Sequence, residues 1–154
     1  MIDEARRLVE LQTRSYERAG RALRSSWPSK DAMTAEELAA FLERNEYAVL
    51  ATVSPDGGPQ AAPIAYFVED GSFWIATVEG ARLRNVRANP RAELVIAEGG
   101  RGKHHALRAR GPVTLHEPTE ELLRAWRDRH GGDAGWAAAF VELRPRTLFT
   151  HANR

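Results

Sequence analysis

Two tight turns in close succession constrain this chain more than any other feature. Pro55-Asp56-Gly57-Gly58 separates the apolar run Tyr47–Ser54 from Pro59–Val68, and Glu69-Asp70-Gly71 separates that run from Ser72–Val78. Proline presets φ and glycine accepts positive φ, so each segment reverses the chain within a few residues. Strands joined by such short reversals pair antiparallel. The third run places Phe73, Ile75 and Thr77 on one face and Trp74, Ala76 and Val78 on the other. Both faces are largely apolar, as in a sheet covered on both sides.

The rest of the chain adds strands and flanking helices. A short helix over about 80–88 leads into a strand at Arg91–Ala97. Gly99-Gly100-Arg101-Gly102 reads as a flexible loop, and Lys103–His116 as a long strand bent at Gly111-Pro112. Glu117–His130 reads as a helix with Leu122, Leu123 and Trp126 apolar, stopped by Gly131-Gly132, and Phe140–His151 as a last strand. Toward the N-terminus, Ala5, Val9, Gln12, Tyr16, Ala19 and Leu23 make one stripe, so residues 2–24 read as an amphipathic helix ended by Ser25-Ser26-Trp27-Pro28. That helix packs on its own core or reaches across a dimer partner. A second helix has Thr34 as N-cap and Glu37 three residues on, a capping box. Met33 and Leu38 are placed for a hydrophobic staple, and the helix runs to about Arg44. No repeats or linkers appear. The expectation is one domain over 1–154, mainly β with flanking helices: a six-stranded antiparallel barrel, closed or nearly so, with a helical extension over about 1–33.

Composition narrows the function classes. At 154 residues, 43% hydrophobic and 28% charged, the chain can bury a core of its own. No apolar run approaches the roughly 20 residues of a membrane span, and the N-terminal residues lack a signal-peptide core. Zero cysteines exclude disulfides, thiolate catalysis and cysteine metal sites, and fit a cytoplasmic location. His104 and His105 are neighbours on a strand and point to opposite faces, and His116, His130 and His151 show no ligand spacing with them. No metal site is expected, though one histidine could still serve haem. Gly99–Lys103 fails as a phosphate loop: Ala97 stands where the first glycine should, His104 replaces Ser/Thr, and a strand follows.

Charge is local. Between Gly80 and Arg110, Arg82, Arg84, Arg87, Arg91, Arg101, Lys103, Arg108 and Arg110 face only Glu93 and Glu98, leaving +6. Such a field suits a phosphorylated ligand or nucleic acid, and the absence of a recognition-helix motif and of interleaved aromatics argues against nucleic acid. Within the field, Arg82, Asn85 and Asn89 fall on one face of the short helix near its positive end, a place for an anion.

Two segments carry a family resemblance. Glu46–Ile64 resembles the opening hairpin, and Arg84–Ala92 the entry to the fourth strand, of the pyridoxamine 5'-phosphate oxidase-like, FMN-binding split-barrel family. The similarity spans about 34–116 with a weaker echo at Val141–Thr150. Within the family it leans toward the flavin/deazaflavin oxidoreductases that use FMN or coenzyme F420. The resemblance implies a homodimer with two cofactor sites at its interface. It places the cofactor phosphate on Arg82, Arg84 and Asn85 with Thr77 and Ala81 nearby, and the ring along the backbone of Pro63, Ile64 and Ala65. Relatives usually have lysine at Arg82 and a further basic residue where Gly80 stands. No fixed catalytic acid is implied, because the cofactor carries the hydride chemistry. Tyr66 is the best proton-donor candidate, though barrel aromatics more often serve the core. Some members bind haem or have lost their cofactor, so a non-catalytic haem- or flavin-binding protein is the alternative to an oxidoreductase.

Overall fold

The computed structural model describes residues 1–153. The first turn forms as its residues dictate. Gly57 sits at φ +90°, Gly57 N donates to Ser54 O at 2.9 Å, and Ser54 N donates to Gly58 O at 2.8 Å. It joins β1 (Tyr47–Val53) and β2 (Pro59–Ala65), paired from Val53↔Pro59 to Tyr47↔Ala65. The return strand does not run on to Val68, because Tyr66 interrupts it. Its ring turns into the core, 1% exposed. Its hydroxyl donates to Asn45 O at 2.7 Å, and its own carbonyl accepts from His130 Nε2 at 3.0 Å. The chain resumes as β3 (Phe67–Glu69), which pairs with β4 (Ser72–Thr77).

After β4 come α4 (Ala81–Ala88), β5 (Arg91–Gly100) and β6 (Lys103–His116). Gly99 and Gly100 belong to the β5–β6 ladder rather than to a loop. Only Arg101 and Gly102 turn, at φ 44° and 81°, the paired positive values of a two-residue hairpin turn. β6 is long because it serves two sheets. Residues 103–112 pair with β5 and 105–110 with β8 (Thr147–Ala152), whereas 113–116 pair with β7 (Ala139–Leu143). The change of partner falls at Gly111-Pro112. A Cβ on Gly111 would lie 2.2 Å from Arg144 O, so only glycine lets the β7–β8 connection cross there.

The last predicted strand is two, β7 (Ala139–Leu143) and β8 (Thr147–Ala152), broken by Arg144-Pro145-Arg146. Among the described residues, eight antiparallel strands therefore replace the expected six, in the order β2-β1-β5-β6-β7-β4-β3 with β8 also on β6. The sheet is not closed: β2 and β3 end the path, and the barrel is split there. The mainly β architecture with flanking helices stands. As its two apolar faces require, β4 is covered on both sides, with Phe73 and Ile75 in the main core and Ala76 in a second cluster with Trp126 and Phe140.

The N-terminal helix is shorter than predicted. α1 (Ile2–Arg18) ends at extended Ala19, and α2 (Arg21–Ser26) is a separate short helix. α1 packs on its own chain: Ala5 and Leu8 enter the main core. The capping box of α3 (Ala35–Arg44) forms in both directions, Glu37 N to Thr34 Oγ1 at 3.2 Å and Thr34 N to Glu37 Oε2 at 2.9 Å. α5 (Glu120–His130) starts later than predicted because Thr119 caps it, accepting from Leu122 N at 3.2 Å, and Gly131 closes it in the left-handed region. No helix among the described residues is long and apolar enough to cross a membrane.

Candidate functional site

The split leaves a cavity of about 490 Å³ between β1–β2 and the β4–α4 junction, within the usual size of a small-molecule site. Leu50 and Thr52 of β1 and Gln60, Ala61 and Ala62 of β2 form one wall. Thr77, Val78, Gly80, Ala81 and Arg82 form the other. β2 pairs with β1 alone, so the main-chain groups of its second edge have no neighbouring strand.

Asparagines hold α4 over this cavity. Asn85 is buried and its Nδ2 donates to Thr52 Oγ1 at 3.0 Å and to Gln60 Oε1. One turn on, Asn89 Nδ2 donates to Ser54 O at 3.1 Å. The polar face foreseen for this helix is thus partly spent on clamping it to the first hairpin. What remains points at the cavity. No side chain caps the α4 N-terminus, unlike α3 and α5. Its first amide with a helical partner is that of Arg84, bonded to Gly80 O at 3.1 Å. Amides before it are free to meet a ligand.

Arg82 is the other unsatisfied group. Its guanidinium is half-buried, and burial lowers its pKa from the ordinary value. Nη1 donates to Thr77 Oγ1 at 3.2 Å, a neutral partner, and no carboxylate lies within ion-pair distance among the described residues. A half-buried cation with no anion beside it, next to an uncapped helix end, fits the phosphate end of a nucleotide cofactor.

The residues singled out from sequence fall into three groups. Thr77, Ala81 and Arg82 line the cavity, and Asn85 sits beneath its floor. Arg84 is exposed and lies off the lining. Pro63, Ile64 and Ala65 lie farther along β2: Pro63 is exposed, Ile64 is 6% exposed in the core, and Ala65 packs on the second cluster. Side chains three residues upstream, Gln60 to Ala62, take the cavity wall instead. Tyr66 is withdrawn from the cavity, and burial pushes its hydroxyl pKa up. Sequence reasoning missed Thr52 and Gln60. The available signal was the two-residue period, which puts both on the inner face with Leu50 and Ala62. His104 and His151, unrelated in spacing, stack across β6 and β8 with ring centroids 4.9 Å apart. Among the described residues no group of three or more metal-ligating side chains gathers.

Comparison with solved structures finds the same architecture. A conserved hypothetical protein of Mycobacterium tuberculosis superposes with a TM-score of 0.73 at 22% identity, over 83% of this chain and 90% of that one. An FAD-binding protein of Mesorhizobium loti gives 0.62 at 22% identity, over 77% and 93%. The haem storage protein HutZ of Vibrio cholerae gives 0.66 at 19% identity, over 75% and 93%. No curated protein matches the chain. The family model of pyridoxamine 5'-phosphate oxidase matches residues 34–152, from the α3 cap to the last strand. Together with the split barrel and the anion-shaped junction of β4 and α4, that match makes the chain a member of the pyridoxamine 5'-phosphate oxidase family.

Proposed function

We propose that this chain is a cytoplasmic oxidoreductase that holds FMN or coenzyme F420 in the split and transfers hydride to or from a small organic substrate. The observation that carries the reading is Arg82, a half-buried guanidinium with a neutral hydrogen-bond partner at an uncapped helix N-terminus. Its charge and the α4 amides would bind the cofactor phosphate, and Asn85 would keep α4 in register with Thr52 and Gln60. The free edge of β2, including the backbone of Pro63 to Ala65, offers hydrogen-bonding groups to a flat ring. When bound, the cofactor supplies the hydride chemistry. The lining contains no carboxylate, histidine, lysine or tyrosine, so this protein's part is to bind, orient and exclude water.

The proposed assembly is a homodimer with the cofactor at its interface. The outer face of β1 and β5 supports it. Tyr47, Val49, Val53 and Val95 are exposed, and Val49 and Val95 are direct ladder neighbours. A coherent apolar sheet face of this kind is usually covered by protein. Sedimentation at micromolar concentration is expected to give twice the mass of one chain.

The test is titration with FMN and with F420, read by cofactor fluorescence. Arg82→Gln is expected to weaken binding tenfold or more, since hydrogen bonds to charged groups are worth about 1.5–3 kcal/mol. Its melting temperature should hold or rise, because the variant removes an uncompensated half-buried charge. Equal affinity in both proteins would sink the reading. The same empty roster of acids and bases favours a second reading, a non-catalytic flavin or haem carrier like the haem storage protein of the same fold. Tight cofactor binding without hydride transfer to any acceptor would establish the flavin carrier. Haem is the weaker candidate for this cavity, since no histidine lines it.

A further inference from the structure

Among the described residues, exposed large apolar side chains fall in two groups, the chain-end Met1 apart. Tyr47, Val49, Val53 and Val95 make the outer β1–β5 face assigned above to the dimer. Val78 and Trp136, each 53% exposed, belong to the opposite lip of the split, with β4 and β7. Val78 follows β4 and lines the cavity. The β4–β7 ladder goes one step past Thr77↔Ala139, where Ala138 N donates to Thr77 O at 2.8 Å. The segment before β7 therefore runs beside this cavity wall, and Trp136 lies two residues beyond that bond.

Trp136 is fixed although it is exposed. Its Nε1 donates to Asp133 O at 3.1 Å. Its ring packs on Trp126, with centroids 5.8 Å apart and planes at 84°. Behind it Ala137 N donates to Ala134 O at 2.9 Å, and Ala134 is fully buried. Trp126 belongs to the cluster that also takes in Ala65 of β2 and Ala76 of β4, so the indole is anchored to both sides of the split. Its N–H is spent within the loop, and what remains for a ligand is π surface. Such a surface, already held in place, loses little freedom on binding and favours a flat partner. The adjoining wall offers Ala61, Ala62 and Val78, and Arg82 is its one charged side chain.

We propose that Trp136 is a specificity-determining residue for the reaction proposed above, and that the substrate is a flat, conjugated, uncharged ring that stacks on its indole beside Val78. The inference rests on the split being the cofactor site: Arg82 and the α4 amides hold the cofactor phosphate, and Trp136 receives a second ring at the rim.

The experiment is calorimetric titration of the protein, with and without saturating FMN, by two neutral probes. Coumarin is flat and conjugated, whereas octahydrocoumarin has the same skeleton saturated and puckered. Coumarin is expected to bind more tightly by about fivefold, the scale of one aromatic stack. Trp136→Leu should remove that preference by weakening coumarin alone, and Trp136→Phe should keep most of it. Melting temperatures of both variants should stay near that of wild type, since the ring is half in solvent. FMN and F420 affinity should be unchanged in Trp136→Leu and should fall in Arg82→Gln. Equal binding of the two probes by wild type, or an undiminished preference in Trp136→Leu, overturns the inference and leaves the cofactor reading standing. A fall in FMN or F420 affinity in Trp136→Leu as large as the fall for coumarin assigns the indole to the cofactor and overturns its role toward substrate. Unchanged cofactor affinity in Arg82→Gln, with the coumarin preference lost in Trp136→Leu, overturns the cofactor reading and leaves the flat-ring site standing.

Discussion

The two flanks of the sheet treat their loose polar groups in opposite ways. β8 borders only β6, yet α1 lies along its other edge and satisfies it. Leu148 N donates to Ser15 Oγ at 3.0 Å, Tyr16 Oη donates to Thr150 O at 3.4 Å, and Met33 N donates to Thr150 Oγ1 at 2.8 Å. Thr150 Oγ1 in turn bonds Gln12 Oε1, whose Nε2 donates to Met33 O at 3.1 Å. Every member is buried and partnered, the arrangement that rigidifies a fold. At the split, among the described residues, β2 keeps a free edge, α4 has no cap and Arg82 has no counter-charge. Within one small molecule, the α1–β8 flank satisfies its buried polar groups internally, whereas the split leaves polar groups open around a cavity.

Substitutions on the two flanks should separate stability from binding. The largest stability loss is expected from Leu8→Ala, since Leu8, on the buried face of α1, is 1% exposed in the core. Removing it should cost about 2–5 kcal/mol, seen as a drop of at least several degrees in melting temperature with cofactor affinity intact. If cofactor affinity fell in parallel, the flanks would be coupled and the contrast broken. Asn85→Leu comes next and should affect both properties. It strips Thr52 and Gln60 of a donor at a cost of about 1–3 kcal/mol and frees α4, so affinity should fall with stability, unlike Arg82→Gln. Thr150→Val keeps shape but leaves Met33 N and Gln12 without their partner, with a similar cost of about 1–3 kcal/mol and no effect on cofactor titration.

The smallest effect concerns acid. Glu142 is nearly buried, and that burial opposes its charge. Donors Ser72 Oγ at 2.7 Å and His116 Nε2 at 2.9 Å, with the Arg144 guanidinium, outweigh burial and hold the carboxyl below its ordinary value of 4.5. A carboxyl with a lowered native pKa stabilises fully above its unfolded value and loses that contribution as pH falls through the native one. Glu142→Gln should therefore flatten the decline in melting temperature below about pH 4.5, with little change in cofactor binding. A wild-type acid limb in the variant would place acid sensitivity elsewhere.

Local signals carried much of the architecture. The Pro55–Gly58 turn, the Thr34–Glu37 box, the Gly131 stop and the two-faced β4 each form where their residues indicate, because each is decided by neighbours within a few positions. Thr77, Ala81 and Arg82, named through the family resemblance, meet at one short strand-to-helix step, where they line the same cavity. The errors lie where distant chain decides. Tyr66 breaks its strand because Asn45 and His130 claim its polar groups. β7 and β8 divide because β6 changes partner at Gly111. Leu8 is buried in the core while Val9 is only partly buried, as α1 settles on β8 and α3.

By itself, then, the sequence determined the antiparallel pairing, the capped helices and a basic stretch beside a helix start, all consequences of short-range sterics and hydrogen bonding. Only the tertiary structure decided which arginines come together. It set Arg82 opposite Thr52 and Gln60 at one face of β1, and gathered Arg91, Arg110 and Arg146 at the other. Convergence of that kind depends on strand order and on where β6 bends, and no periodicity within a single segment encodes either.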